Sequence, residues 1–378
     1  MLNSTDVLVI GGGPAGLAAA IAARQRGLSV LVADGARPPI DKACGEALMP
    51  DAIAALQRLG VAIPGEDVCS LRGVRFLSSG FSKETFVADA DFPSGVCGIA
   101  VRRTILHRVM IQRAAESGVN LLWQSAVTGI SNGASNAEVQ IGARKIRARW
   151  VIGADGAYSR VRRWADLETQ SRSLPRYSFR RHYRLRPWSN RMEIYWGKHC
   201  QSYATAISDR EVCVAVASRE RKLRLEESLT EFPELSARLR GAEVSSIEKG
   251  SVSANHKLRR VWRKNVALVG DASGTVDAIT GEGLGLAFNQ ALELADFLKA
   301  GELAGYQAAH RRLALRPMIM ARLMLTLDGR PRFQRRVLQT FRQRPEIFRR
   351  LVAFHVGSLS PFRLALGGLT LGWGLLTA

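Results

Sequence analysis

Cysteine, acidic residues and long apolar runs are all scarce in this chain of 378 residues. Cys44, Cys69, Cys97, Cys200 and Cys213 lie far apart, with no CxxC pair. That spacing fits neither a disulfide framework nor a zinc site, so no metal is expected and a reducing cytoplasm is the simplest home. The first apolar run, Val7–Ile10, passes directly into glycines and a helical pattern, so no signal peptide is expected. Acid is outnumbered, with 33 Asp plus Glu against 54 Lys plus Arg and a formal net charge of +21. Such a surplus draws polyanions, whether nucleic acid, anionic lipid or a phosphate-rich cofactor. A 47% hydrophobic content with 35 Gly and 13 Pro excludes wholesale disorder and collagen. The length suffices for roughly two domains.

Three motifs carry the chemistry. Val7–Ile10 reads as a buried strand, followed by Gly11-Gly12-Gly13-Pro14-Ala15-Gly16, an Ala-rich helix and a second strand ending at Asp34. In this GxGxxG, Gly11 permits the tight turn, Gly13 lets a pyrophosphate approach the backbone and Gly16 allows close helix–strand packing. The helix start offers amide donors to phosphate, and Asp34 is placed to bind ribose hydroxyls. The second motif ends the strand Trp150–Ile152 in Gly153-Ala154-Asp155-Gly156, with Ser159 and Arg162 following. The third ends Val266–Val269 in Gly270-Asp271, then opens a helix at Thr280-Gly281-Glu282-Gly283. Asp271 can accept from a ribityl hydroxyl, while Gly281 and Gly283 expose amides to a flavin edge.

In this order and spacing the motifs resemble the FAD-containing aromatic hydroxylases (group A flavoprotein monooxygenases) and their relatives, the geranylgeranyl reductases. The match covers roughly residues 5–165 and 260–300. Arg103, in Arg103-Thr104-Ile105-Leu106, matches the arginine that reaches the FAD pyrophosphate in that family. The resemblance implies an FAD site held by Gly11, Gly13, Ala15, Gly16, Asp34, Arg103, Asp155, Gly156, Arg162, Gly270, Asp271, Gly281 and Gly283. Cys44-Gly45-Glu46 and Thr280–Gly283 resemble the reductase branch. Ala278 stands where both branches usually carry proline, and Gly274 where the hydroxylases often have histidine. The Trp-x-Trp-x-x-Pro signature of flavin halogenases is absent. No second strand–GxGxxG–helix marks a nicotinamide site, and Gly129–Asn136 reads as a polar loop; transient NAD(P)H use is compatible with this.

The implied fold class is α/β: a Rossmann-like FAD-binding domain from 1–75, 98–170 and 250–300, interleaved with an antiparallel substrate sheet from 76–97 and 171–249. A basic and apolar helical region, 301–378, follows, broken at Pro317, Pro331, Pro345 and Pro361. Cys44, Glu46 and Glu282 are candidate catalytic residues, because a carboxyl beside an apolar flavin has its pKa raised toward a useful value. The alternative reading makes them a buried cysteine, a surface or capping glutamate and a helix-start carboxylate. Period-two alternation puts Tyr177, Phe179, Tyr183 and Leu185 on one strand face and Arg176, Arg180, His182, Arg184 and Arg186 on the other, without saying which face sees the pocket. Tyr177, Tyr183, Tyr195, Trp196 and Tyr203 are candidate substrate contacts, against the reading that they are ordinary core; His182 and His199 are candidate bases.

Residues 301–350 hold twelve Arg against three Asp or Glu, and Leu364–Ala378 carries no charge. Fifteen residues fall short of the roughly 20 of a spanning helix. The pattern suggests a surface resting on anionic membrane, against a tail packed on the core. Nucleic acid is disfavoured, since the arginines sit among apolar helices with no aromatic platform. The leading expectation is NAD(P)H- and O2-dependent hydroxylation of an apolar phenolic, lipid or polyketide-like substrate. The alternative is reduction or dehydrogenation of carbon–carbon bonds in isoprenoid or acyl chains. A third reading is a basic flavin-containing protein that binds nucleic acid or membrane without turnover.

Overall fold

The computed structural model describes residues 3–78, 85–133, 136–169, 175–254, 256–361 and 363–364. The apolar tail therefore lies outside the described residues beyond 364. The strand Ser4–Ile10 runs parallel between Arg144–Gly153 and Val30–Ala33, with Asn120–Leu122 and Val266–Leu268 extending the parallel sheet on either side. Val7 to Ile10 and Val30 to Ala33 are buried throughout, the unbroken apolar pattern of strands covered on both faces. Gly129–Asn136 is not simply a polar loop: Val127–Asn132 pairs antiparallel with Ala137–Ile141. Val127, Val139 and Ile141 of that hairpin are buried, so its apolar positions anchor it to the core.

Ten helices are described. On the first domain lie α1 (Pro14–Gln25), α2 (Pro50–Arg58), α3 (Arg103–Glu116) and α4 (Arg160–Trp164). The short α5 (Leu225–Ser228) and α6 (Pro233–Leu239) follow, then α7 (Gly283–Ala300), α8 (Tyr306–Leu327), α9 (Pro331–Gln343) and α10 (Pro345–His355). Ala18, Ala19, Ala20, Ala22 and Ala23 of α1 are buried and let it pack closely on α7 and the sheet. Pro331 and Pro345 occupy first helical positions, where proline's missing N–H costs nothing. The expected break at Pro317 does not occur: α8 continues through it, with Pro317 buried against the cleft described below.

The second sheet runs Glu243–Val244, Pro175–Arg184, Glu211–Ser218, Cys200–Ser208, Arg191–Trp196, Gly73–Ser78, Phe86–Asp91, with Lys249–Ala254 also on Pro175–Arg184. The strand Gly73–Ser78 belongs to it entirely, so the boundary expected after residue 75 moves to Gly73. Both faces are covered. Phe179, Tyr183 and Tyr195 pack with Leu225 and Leu235 of α5 and α6. On the other face Phe76, Met192 and Ile194 meet Phe341 and Phe348 of α9 and α10. No described helix is long and apolar enough to cross a membrane.

Candidate active site

A cleft of about 560 Å³ opens at the carboxyl ends of the parallel strands, walled by the second sheet and the start of α7. Glycine makes its floor possible. Gly11 has φ +110°, and a Cβ there would stand 2.4 Å from the Ala154 carbonyl oxygen. A Cβ on Gly16 would stand 1.8 Å from the Gly11 oxygen. No side chain caps α1, so its first-turn amides remain for a ligand. Asp34 accepts from the Gly12 amide at 2.6 Å and the Ala36 amide at 2.7 Å, which fixes the glycine turn at the cleft edge. Buried His107 of α3 supports the same turn: its Nδ1 accepts from the Ile40 amide, leaving Nε2–H to donate to the Gly12 oxygen at 2.7 Å.

Asp155 accepts from Ser159 Oγ and the Arg160 amide, closing the turn that sets Gly156 in the cleft wall. Asp271 borders the cleft in an ion pair with Lys42 at 3.1 Å. Ala15, Arg103 and Gly270 line it too. Arg162 does not. It is buried, with Nε on Glu168 at 3.0 Å and its Nη atoms donating to the Ala272 and Ala157 oxygens. The turn of α4 directs it inward, so it braces two cleft loops instead of facing a cofactor.

The residues fit FAD. A Cβ on Gly13, Gly156, Gly281 or Gly283 would meet only open space, so four glycines leave a cradle along the wall. Arg103 Nε is buried there with no hydrogen-bond partner among the described residues. Basic Lys42 and the open start of α1 complete a surface suited to a pyrophosphate.

Of the five aromatics expected to touch substrate, only Tyr203 borders the cleft, its hydroxyl donating to the Ile279 oxygen at 3.0 Å. Tyr177, Tyr183 and Tyr195 lie on the opposite sheet face, and Tyr195 donates to Glu193 at 2.6 Å. Trp196 packs edge-on to Phe76 in the core. The aromatic face turned to α5 and α6 because the charged face had partners within the protein. Arg176 is buried between Asp277 and Asp328, both at 2.9 Å, and Arg180 lies 2.5 Å from Asp41. His199 is exposed and pairs with Glu231.

Cys44 and Glu46 line the cleft. Glu46 is only 3% exposed and holds φ +61°, a strained value for a residue with a Cβ. Its Oε1 accepts from the Arg103 amide at 3.0 Å, and Oε2 lies 2.6 Å from His182 Nε2. It is therefore not a surface carboxylate, and its Oε1 takes up the first amide of α3. The Cys213 sulfur joins this pair within 4.8 Å, an arrangement of three ligand types. It does not suit a metal: burial pushes the Cys213 thiol far above its usual range, and Arg180 stands 3.9 Å from Glu46.

Glu282 starts α7 and lies 3.6 Å from Arg316 Nε and 3.4 Å from His355 Nδ1. Burial pushes its carboxyl up to about 8 and the His355 imidazole down to about 4. Both are thus neutral near pH 7. Beside them a second, almost wholly apolar cavity of about 150 Å³ lies between the second sheet and α8, α9 and α10. Met192 and Thr280 belong to both cavities, and His355 stands in the wall of the smaller one. Sequence reasoning left Lys42, Arg316, His355 and this cavity unassigned.

A family described as FAD binding domain matches residues 4–313. Digeranylgeranylglycerophospholipid reductase 1 of Methanothermobacter thermautotrophicus is 30% identical over 324 residues, covering 82% of this chain and 78% of the relative. Menaquinone reductase of Mycolicibacterium smegmatis is 28% identical over 356 residues, covering 88% and 87%. Among solved structures, a flavoprotein/dehydrogenase from Cytophaga hutchinsonii superposes with a TM-score of 0.85 at 19% identity, covering 99% of each chain, and so shares the fold. Glycine cradle, orphaned arginine nitrogen and sequence relatives agree: the chain belongs to the FAD binding domain family and is an FAD-dependent oxidoreductase related to digeranylgeranylglycerophospholipid and menaquinone reductases.

Proposed function

We propose that this oxidoreductase reduces carbon–carbon double bonds in the isoprenoid chain of a lipid. The observation that carries the reading is the apolar cavity that adjoins the cofactor cleft and shares Met192 and Thr280 with its wall. Its lining of Phe, Met, Leu and Val offers a place for a prenyl tail and few hydrogen bonds for a phenol. The two reductase relatives act on compounds of the class their names state, and Cys44-Gly45-Glu46 supports the same branch. The expectation of hydroxylation gives way to this reading.

FAD, reduced by an external donor for which NAD(P)H is our choice, would supply the hydride. The protein's own part is binding and proton control. Gly11, Gly13, Arg103 and Asp34 would hold the phosphates and ribose. Burial keeps Glu282 protonated and His355 neutral, so neither adds a charge where the cavities meet, and the Arg316 guanidinium beside Glu282 is paired with Asp51. Glu46, held by His182 and the Arg103 amide, is the carboxyl placed to exchange a proton in the cleft.

The Met324→Trp variant tests the cavity's role, because the indole would fill it from α8. With FAD occupancy intact, kcat/KM for a long prenyl lipid is expected to fall at least about ten-fold. Unchanged kcat/KM would remove the cavity from the substrate path and the reading with it.

A further inference from the structure

The smaller cavity also reaches the protein surface. Leu323 and Thr326 of α8 belong to its lining, yet Leu323 is 39% exposed and Thr326 is exposed as well. Leu315, one further exposed apolar side chain, lies eight residues earlier on the same helix. The three helices that wall the cavity are basic at their exposed positions, and of the arginines named next Arg312 pairs with Glu293. Arg312 and Arg322 of α8, Arg332 and Arg336 of α9, and Arg349 and Arg350 of α10 are all exposed. Acid is nearly missing: residues 301–350 contain only Glu302, Asp328 and Glu346. Of these Asp328 is largely buried and already engaged by Arg176 and Arg219.

We infer that the face formed by α8, α9 and α10 docks on an anionic phospholipid bilayer, and that the opening at Leu323 and Thr326 is the portal through which a lipid chain passes from the bilayer into the cleft. The inference rests on the reductive reading for its substrate and on the surface itself for its partner. Two features single out a bilayer. Exposed arginines attract anionic headgroups, each contributing independently near the surface. The apolar residues among them sit at the mouth of a cavity, where a chain leaving the bilayer would move between two apolar surroundings and never cross water. A nucleic acid would use the arginines and leave the apolar mouth without a role.

The test uses full-length, FAD-loaded protein and sedimentation with vesicles of phosphatidylcholine, alone or mixed with phosphatidylglycerol. Binding to the mixed vesicles, weakening with salt, and none to phosphatidylcholine alone is the expected result. The double variant Arg332→Ala, Arg336→Ala should bind mixed vesicles about 25-fold more weakly, about five-fold per arginine. Its FAD content and melting temperature should match the unaltered protein, which separates loss of docking from loss of fold. Leu323→Glu should slow reduction of a vesicle-borne prenyl lipid at least about ten-fold by placing a charge in the mouth. Equal binding to both vesicle types, an unaffected double variant, or DNA binding in place of vesicle binding would overturn the inference. Sedimentation needs no turnover, so intact docking without chain reduction would count against the reductive reading and not against the membrane surface.

Discussion

At the scale of single residues, the unusual groups are those whose burial changes their charge. Glu282 is 6% exposed, and burial raises its carboxyl from 4.5 to about 8. The folded state therefore holds that proton more tightly than the unfolded chain does. The stability tied to this group is fully present below about pH 4.5 and is lost as pH rises through about 8. His310 and His355 act in the opposite direction: burial lowers both from 6.5 to about 4, so their contribution is lost as pH falls through that value. In Glu282→Gln the alkaline loss should disappear, leaving the variant on the order of 3 kcal/mol better placed than the parent in alkaline compared with mildly acidic buffer. Urea unfolding in the two buffers measures this. Parallel curves for variant and parent would contradict the assignment.

The same scale shows what sequence could tell. Asp34, Asp155 and Asp271 were legible because each follows a buried strand at short range, where local pattern decides geometry. Glu46 and His182 were not legible as a pair, since 136 residues separate partners 2.6 Å apart. Arg162 sits within a recognised motif yet points away from the cleft, because the turn of α4 sets its direction and motif spacing does not.

Among the elements, the strand Pro175–Arg184 is the instructive one. Its alternation was plain, and the unresolved question was which face saw the cleft. Charge would normally turn outward, but here Asp41, Asp277 and Asp328 converge from three separate segments to receive Arg176 and Arg180. Such compensation is a long-range property that periodicity cannot contain. The aromatic face then packs on α5 and α6, with Phe179 alone among its aromatics also reaching the cleft wall. On the other side of the sheet, α10 is fastened by aromatic contact: Phe348 stacks on Phe341 at 4.7 Å and approaches Phe76 at 4.8 Å. Phe348→Ala should destabilise the protein by about 3–5 kcal/mol through lost burial and the cavity left behind. Denaturant unfolding would register this as a lower midpoint, and a loss below about 1 kcal/mol would mean that α10 is held mainly by other contacts.

For the whole molecule, the two sheets divide the work. The parallel sheet supplies turns and amide donors for a cofactor, while the second sheet and α8 to α10 wall an apolar cavity beside it. The fold class and the cofactor were readable because the three motifs are local and recur in order. The reaction was less so: hydroxylation and reduction share the cofactor site and differ in what the rest of the chain builds around it. The helices that wall the smaller cavity lie more than 100 residues beyond the strands Gly73–Ser78 and Arg191–Trp196 that share it, so no local pattern could announce it.

The most direct measurement is the mass of the product formed from a geranylgeranyl lipid by the reduced holoenzyme without oxygen. A product that gains two hydrogens per double bond, formed as the flavin absorbance returns, is the predicted result. A lipid left unchanged without oxygen, but carrying an added oxygen atom when air is admitted, would contradict the account.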